Sequence, residues 1–318
     1  MATFLLVFKG VVMAARKYRD NTRAGGRAAL THVGAALLAA SFWAGAANAA
    51  DVEPVLPDGI GKVAPGYITL AGVFAEGTYV GVEQKDRIPN PDSSDTYGVR
   101  LGVVFALPKA GMFVIPSVEF SRTDATGSNA FATIDSDSTV RGGELKLVFI
   151  AASNLFVHAG ASGGSGRQDL RFNKLVPSTT NLHNYSAYAG ADMVVYDASD
   201  ITVSVVNELS YNYLVANFDP NNTVDRGSSR IWSNELGING AWEVHPGTKL
   251  RAGVSWASFL GVREMIGEVS PDRNFGILSL GASQSITDSV SLYGSVGRVV
   301  FDSKRDVSSA KIGVMAVF

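Results

Sequence analysis

The segment 97–107 constrains the fold more than any other stretch of the 318 residues. Tyr97, Val99, Leu101, Val103, Phe105 and Leu107 alternate with Gly98, Arg100, Gly102, Val104 and Ala106. A period of two places successive side chains on opposite faces of a β-strand. One face is then aromatic and aliphatic, and the other is small or charged. The division recurs along the chain. Leu145, Leu147 and Phe149 alternate with Glu144 and Lys146, and Ile201, Val203 and Val205 with Thr202, Ser204 and, further on, Glu208. Leu236, Ile238 and Trp242 oppose Glu235 and Asn239; Leu250, Val254 and Trp256 oppose Arg251 and Ser255.

The alternation predicts twelve strands, at 67–82, 97–107, 112–121, 140–151, 155–163, 184–196, 201–214, 230–244, 249–260, 274–286, 290–301 and 309–318. Short turns at 108–111, 152–154, 197–200, 245–248 and 287–289 join alternate pairs. The intervening connections are polar and mostly long, as at 84–96, 123–139, 164–183 and 216–229, with a shorter one at 302–308. Loop length sorted by side is the pattern of a transmembrane barrel, with short periplasmic turns opposite longer outer loops. Pro116 lacks an N–H for a ladder and is expected to mark a bulge. Tyr97, Tyr185, Tyr211, Tyr213, Trp232 and Trp242 fall near the expected strand ends, where aromatic girdles form.

The charges decide which face is inside. A water-soluble barrel would bury Arg100, Glu119, Glu144, Lys146, Asp192, Glu208, Glu235, Arg251 and Lys311, at prohibitive cost. No segment after residue 49 is a membrane-length apolar helix, and without one only a closed barrel satisfies its backbone in lipid. The expected fold is therefore all-β: a closed, 12-stranded antiparallel transmembrane β-barrel over 67–318. Its apolar face meets lipid and its polar face lines a lumen.

The lumen-lining candidates are Arg100, Glu119, Glu144, Lys146, His158, Asp192, Glu208, Glu235, Arg251 and Lys311. Arg100, Lys146, Arg251 and Lys311 are expected to form a basic side facing Glu119, Glu144, Glu208 and Glu235. Such a lumen can select solutes by charge, or its ion pairs can brace a closed barrel. Inward glycines, among them Gly98, Gly102, Gly160 and Gly190, are expected to leave space. His158, His183 and His245 are not spaced as metal ligands. No catalytic, cofactor or metal site is expected.

The N-terminus reads as an export signal. Arg16, Lys17, Arg19, Arg23 and Arg27 precede an apolar run at 33–43 and then Ala47-x-Ala49. Basic, apolar, small is the order of a signal peptide, expected over 1–49, with Met13 as a possible true start. The run is too short for a spanning helix. The segment 50–66 is expected as a short periplasmic lead-in. The leader holds six of the 27 basic and one of the 29 acidic residues, which leaves 21 and 28, a net charge of −7. That charge excludes nucleic acid as the expected partner. With 0 Cys, disulfide and thiolate chemistry are absent.

The last strand places Ala310, Ile312, Val314, Ala316 and Phe318 on one face and ends on an aromatic ring. It resembles the C-terminal signature strand of Gram-negative outer-membrane proteins. The resemblance implies an outer-membrane location, outer-membrane lipid as surroundings and recognition by the barrel-assembly machinery, with Phe318 as the assembly signal. Twelve strands is also the size of an autotransporter translocator, here without a passenger. The leading functional expectation is a porin-like passive channel for small polar solutes. The alternative is a closed structural or surface-interaction barrel, and an outer-membrane hydrolase, drawing on Asp135, Asp137 and His183, is a third reading.

Overall fold

A computed structural model of the chain describes residues 68–84, 91–128, 133–172, 176–198, 200–217, 226–263 and 273–318. The expected leader, 1–49 with Met13, and the lead-in, 50–66, lie outside the described residues. The strands are β1 Thr69–Gln84, β2 Pro91–Leu107, β3 Met112–Ser128, β4 Thr133–Ala152, β5 Leu155–Phe172 and β6 Val176–Ala198. They continue with β7 Ile201–Asn217, β8 Arg226–His245, β9 Thr248–Arg263, β10 Asn274–Thr287, β11 Val290–Val300 and β12 Arg305–Val317.

Each strand pairs antiparallel with its neighbour in sequence, and β12 pairs with β1 to close the barrel. Closure leaves no row of unpaired N–H and C=O groups, which is the condition for crossing lipid with strands. The end of β12 is held on both sides: Phe318 N–H donates to the Ala71 carbonyl across the seam at 3.2 Å, and Val317 N–H to the Ser289 carbonyl on the β11 side at 2.8 Å. Two of the short turns use glycine in the left-handed region, Gly111 at φ 60° and Gly247 at φ 78°, conformations that a side chain resists. Among the described residues no helix is long and apolar enough to cross a membrane.

The wall is inverted. Leu101 and Leu236 are 52% and 54% exposed on the outside, while Lys146 and Arg251 retain 1% and 3% exposure inside. Ile312, Val314 and Phe318 share the outer face, as the last strand's pattern implies.

The strands are longer than the alternation indicated. Most of 123–139 and 164–183, expected as loops, belongs to paired strand: β3 runs to Ser128, β4 starts at Thr133, and β6 starts at Val176. Strand and lipid contact are different things. Apolar alternation stops where lipid stops, about ten residues per crossing, whereas the ladder continues for as long as backbone groups pair. Beyond the apolar band, polar cross-strand contacts hold it. Arg122 bonds Asp137 of β4 at 2.6 Å, Thr179 donates to Asp169 at 2.8 Å, and Thr96 meets Thr123 at 2.8 Å. For the same reason most of the girdle aromatics are not at strand ends: Tyr97 is well inside β2. They pair across strands where the outer face turns polar, Tyr79 with Tyr97 at 5.3 Å and Tyr211 with Trp232 at 4.7 Å between ring centroids.

Pro116 makes a gap rather than a bulge. The β2–β3 register is the same on both sides of it, from Gly102↔Ser117 to Phe105↔Val114, but the two intervening pairs are missing. A proline ring cannot donate, so the ladder parts locally. An outer groove of about 610 Å³ lies there, lined by Leu101, Val103, Pro116 and Val118 with Val73 and Val314.

The inverted wall has a direct test. Leu236→Arg puts a cation on the lipid face and is expected to cost about 2–4 kcal/mol if it lies near the bilayer midplane. The measurement is reversible unfolding in lipid vesicles, with Leu236→Ala separating lost apolar area from charge.

Candidate functional site: the barrel lumen

The register brings inward side chains from distant strands together. Arg100 on β2 meets Glu144 on β4 at 2.8 Å, and its Nε donates to Ser117 Oγ of β3 at 3.1 Å. The Tyr188 hydroxyl of β6 donates to the other Glu144 oxygen. The Lys146 ammonium lies 5.8 Å from the centre of the Tyr188 ring, within cation–π range. One network thus ties β2 to β6 through the inside of the wall.

A second cluster is centred on His158 of β5. Its Nδ1 lies 3.0 Å from Asp192 Oδ2 of β6, and its Nε2 lies 3.1 Å from Glu208 Oε2 of β7. His158 and Glu208 are two strands apart on one row, with Gly190 between them. A Cβ at Gly190 would come within 2.5 Å of His158 Nε2. The glycine is what lets the imidazole cross to the second carboxylate. Proton counting fixes the charge of the trio. Two N···O hydrogen bonds need two protons, held either by an imidazolium between two carboxylates or by a neutral imidazole and one carboxylic acid. Both arrangements carry one net negative charge. Glu235 faces Glu208 directly across the β7–β8 pair, so a further acidic group joins the row.

The expected basic side is only partly what the wall contains. Arg100 is bonded to Glu144, and Lys146 lies two residues from Glu144 on the same strand, so both belong to the acidic arc. The basic arc is on β9–β12: Lys249, Arg251 and Lys311, among Ser279, Ser283, Ser291 and Ser295. Lys311 meets Glu76 at 3.3 Å and Lys249 meets Glu243 at 3.8 Å. Arg251 Nη2 donates to Ser283 Oγ at 3.0 Å. Glu119 completes the acidic arc on β3.

The inward glycines are used rather than empty. Tyr188 lies over Gly160, Phe74 over Gly102, His158 over Gly190 and Tyr293 over Gly313. Each of these four side chains leans across a neighbouring strand that carries no side chain at that level. Tyr188, Tyr293, Glu76 and Lys249 are the wall residues the sequence reading missed. The signal was present for Glu76, which shares the alternation of Phe74 and Thr78. For Tyr188 it was present too, since its parity is that of Ser186 and Asp192, but an uncharged ring gives no sign of a lumen role.

The inward face is not polar throughout. Ile231, Phe259, Phe275, Ile277, Val299 and Val307 pack with Val82 inside the long-loop end, and Phe113, Ile115, Val148 and Phe156 line part of the short-turn end. Asp302 and Arg305 form a buried pair at 2.8 Å beside the β11–β12 connection. The residues of the hydrolase reading have separate partners: Asp135 pairs in register with Arg171, Asp137 is held by Arg122, and His183 pairs in register with Val215.

No protein-family model and no curated protein matches the sequence. Solved structures do match the fold. The translocator domain of the autotransporter NalP from Neisseria meningitidis aligns with a TM-score of 0.61 at 13% identity, covering 79% of this chain and 89% of that one. The transport unit of the autotransporter AIDA-I from Escherichia coli gives 0.59 at 13% identity, covering 78% and 90%. The β domain of the Bordetella autotransporter Brka gives 0.58 at 11%, covering 79% and 100%. The inverted wall and these likenesses agree on the architecture, a closed twelve-stranded barrel of the outer-membrane type.

Gly190→Ala is expected to push the imidazole off Glu208 and destabilise the barrel by about 1–3 kcal/mol, the cost of an unsatisfied buried polar group. The urea midpoint in detergent measures it. Gly163→Ala, on the outer face, is the control expected to change little.

Proposed function

We propose that this chain is a passive outer-membrane channel for small polar solutes, exported by the leader 1–49 and assembled through the last strand and Phe318. The observation that carries the reading is that the lumen holds charges which do not brace one another. Among the described residues, Glu235 makes no ion pair and stands directly opposite Glu208, while Glu119 stands opposite Arg100, which is bonded instead to Glu144. Like charges directly opposite on paired strands destabilise the pair. A barrel selected only to be closed has no use for such an arrangement. A lumen that passes ions and polar solutes does, because it needs fixed charge that water and solute can reach.

One observation favours the alternative of a closed structural barrel. The Arg100–Glu144–Tyr188 network and the His158 trio tie β2 to β7 across the inside of the wall, as internal braces would. The two readings differ in planar bilayers. Purified, folded protein is expected to give discrete conductance steps, and sustained silence from such protein would favour the closed barrel. In a salt gradient, Glu119→Gln and Glu235→Gln are each expected to shift the reversal potential toward lower cation preference. An unchanged reversal potential in both would remove these carboxylates from the pathway.

A further inference from the structure

Arg251 is the exception to the charge pairing of the basic arc. Each of its inward neighbours in charge has an acid: Lys249 has Glu243 and Lys311 has Glu76. Arg251 has none among the described residues. Its side chain is 3% exposed, its Nη2 is bonded to Ser283, and its Nε and Nη1 are buried with no hydrogen-bond partner. A guanidinium does not shed its proton to escape this. A buried cation without a counter-charge is strongly disfavoured, and the remedy is an anion beside it.

The residues that follow Arg251 along its row are small. The row through it runs Arg251, Gly281, Ser295, Lys311 over four adjacent strands. The two cations are therefore three strand spacings apart, about 14 Å at their Cα atoms, with only a glycine and a serine between. Gly253 is the next inward residue on β9, and Ser283 supplies a hydroxyl. Arg251 is four residues into β9, close to the short-turn end, whose other inward residues on β3 and β5 are Phe113, Ile115 and Phe156. The basic, hydroxyl-lined arc is thus set against an apolar one.

We propose that Arg251, with Ser283 bonded to it and Ser295 two strands along the same row, is an oxyanion-binding station in the lumen for small solutes carrying a carboxylate or phosphate group. A planar guanidinium with unfilled donors matches those oxygens geometrically, and an adjacent hydroxyl adds a donor without adding charge. The proposal rests on the channel reading for the route by which the solute arrives.

The test is isothermal titration of full-length, detergent-folded protein with inorganic phosphate and, separately, with succinate. Wild type is expected to bind at least one. Arg251→Gln is expected to weaken that binding tenfold or more, the scale of a charged hydrogen-bonded contact. Arg251→Lys keeps the charge but loses the planar donor array, and is expected to bind several-fold more weakly; it serves if the glutamine variant does not fold. Binding of phosphate alone or succinate alone identifies which oxyanion the station takes. No binding to wild type, or equal binding in wild type and both variants, overturns the proposal. Bilayer recordings on the same preparation separate the two readings. Binding with electrical silence sinks the channel and leaves the station standing, whereas conductance without binding does the reverse.

Discussion

The structure depends on one constraint: every backbone N–H and C=O that meets lipid must already be paired. Lipid offers no substitute partner, so strands can cross only as a closed ladder. The β1–β12 pairing meets that requirement, from Gly72↔Val317 to Gln84↔Arg305. Once the ladder closes, the period of the strand leaves no choice about side chains. Every second residue faces lipid and every other faces the lumen, so Leu101 and Arg100 go to opposite solvents. A slip of one residue would exchange them, and the cost of a charged lipid face fixes the register.

Closure also explains how the inside is furnished. A wall with no edge has a fixed circumference, and inward side chains compete for the space within it. Phe74, His158, Tyr188 and Tyr293 all take the same solution, leaning over a glycine on the next strand. The lean carries polar ends across strand boundaries, which is why Tyr188 reaches Glu144 and His158 reaches Glu208. Glycine here sets connectivity: where the side chain is missing decides which functional groups meet.

Much of the barrel was legible in the sequence because lipid imposes a binary choice on each outward residue. Strand number, the short turns and the facing of residues such as Arg100, Asp192 and Arg251 follow from period two alone. The reach of the strands was not legible, since β4 and β6 extend through 133–139 and 176–183, mostly polar stretches without a sustained apolar alternation. The partnering of the lumen was not legible either. Alternation says that Arg100 and Glu144 point inward, but only the stagger between strands says that they touch. The same holds for the inner apolar cluster around Phe275, whose residues look like lipid-facing ones in composition and differ only in parity.

The likeness to autotransporter translocators concerns the wall, and any barrel of twelve strands must share it. What distinguishes one such barrel from another is the electrostatics of the inner face, because that face alone meets whatever passes. Here it is divided. Strands β2–β8 carry acids that share cations and protons among themselves, in the Arg100–Glu144 pair and the His158 trio. Strands β9–β12 carry cations set among serines, and their charge is compensated piecemeal by Glu76 and Glu243. An inner face meant only to cohere would interleave the two signs around the circumference, since mixed neighbours cancel at short range. Segregation keeps a field across the lumen, and that field is the electrostatic feature on which the proposed channel rests.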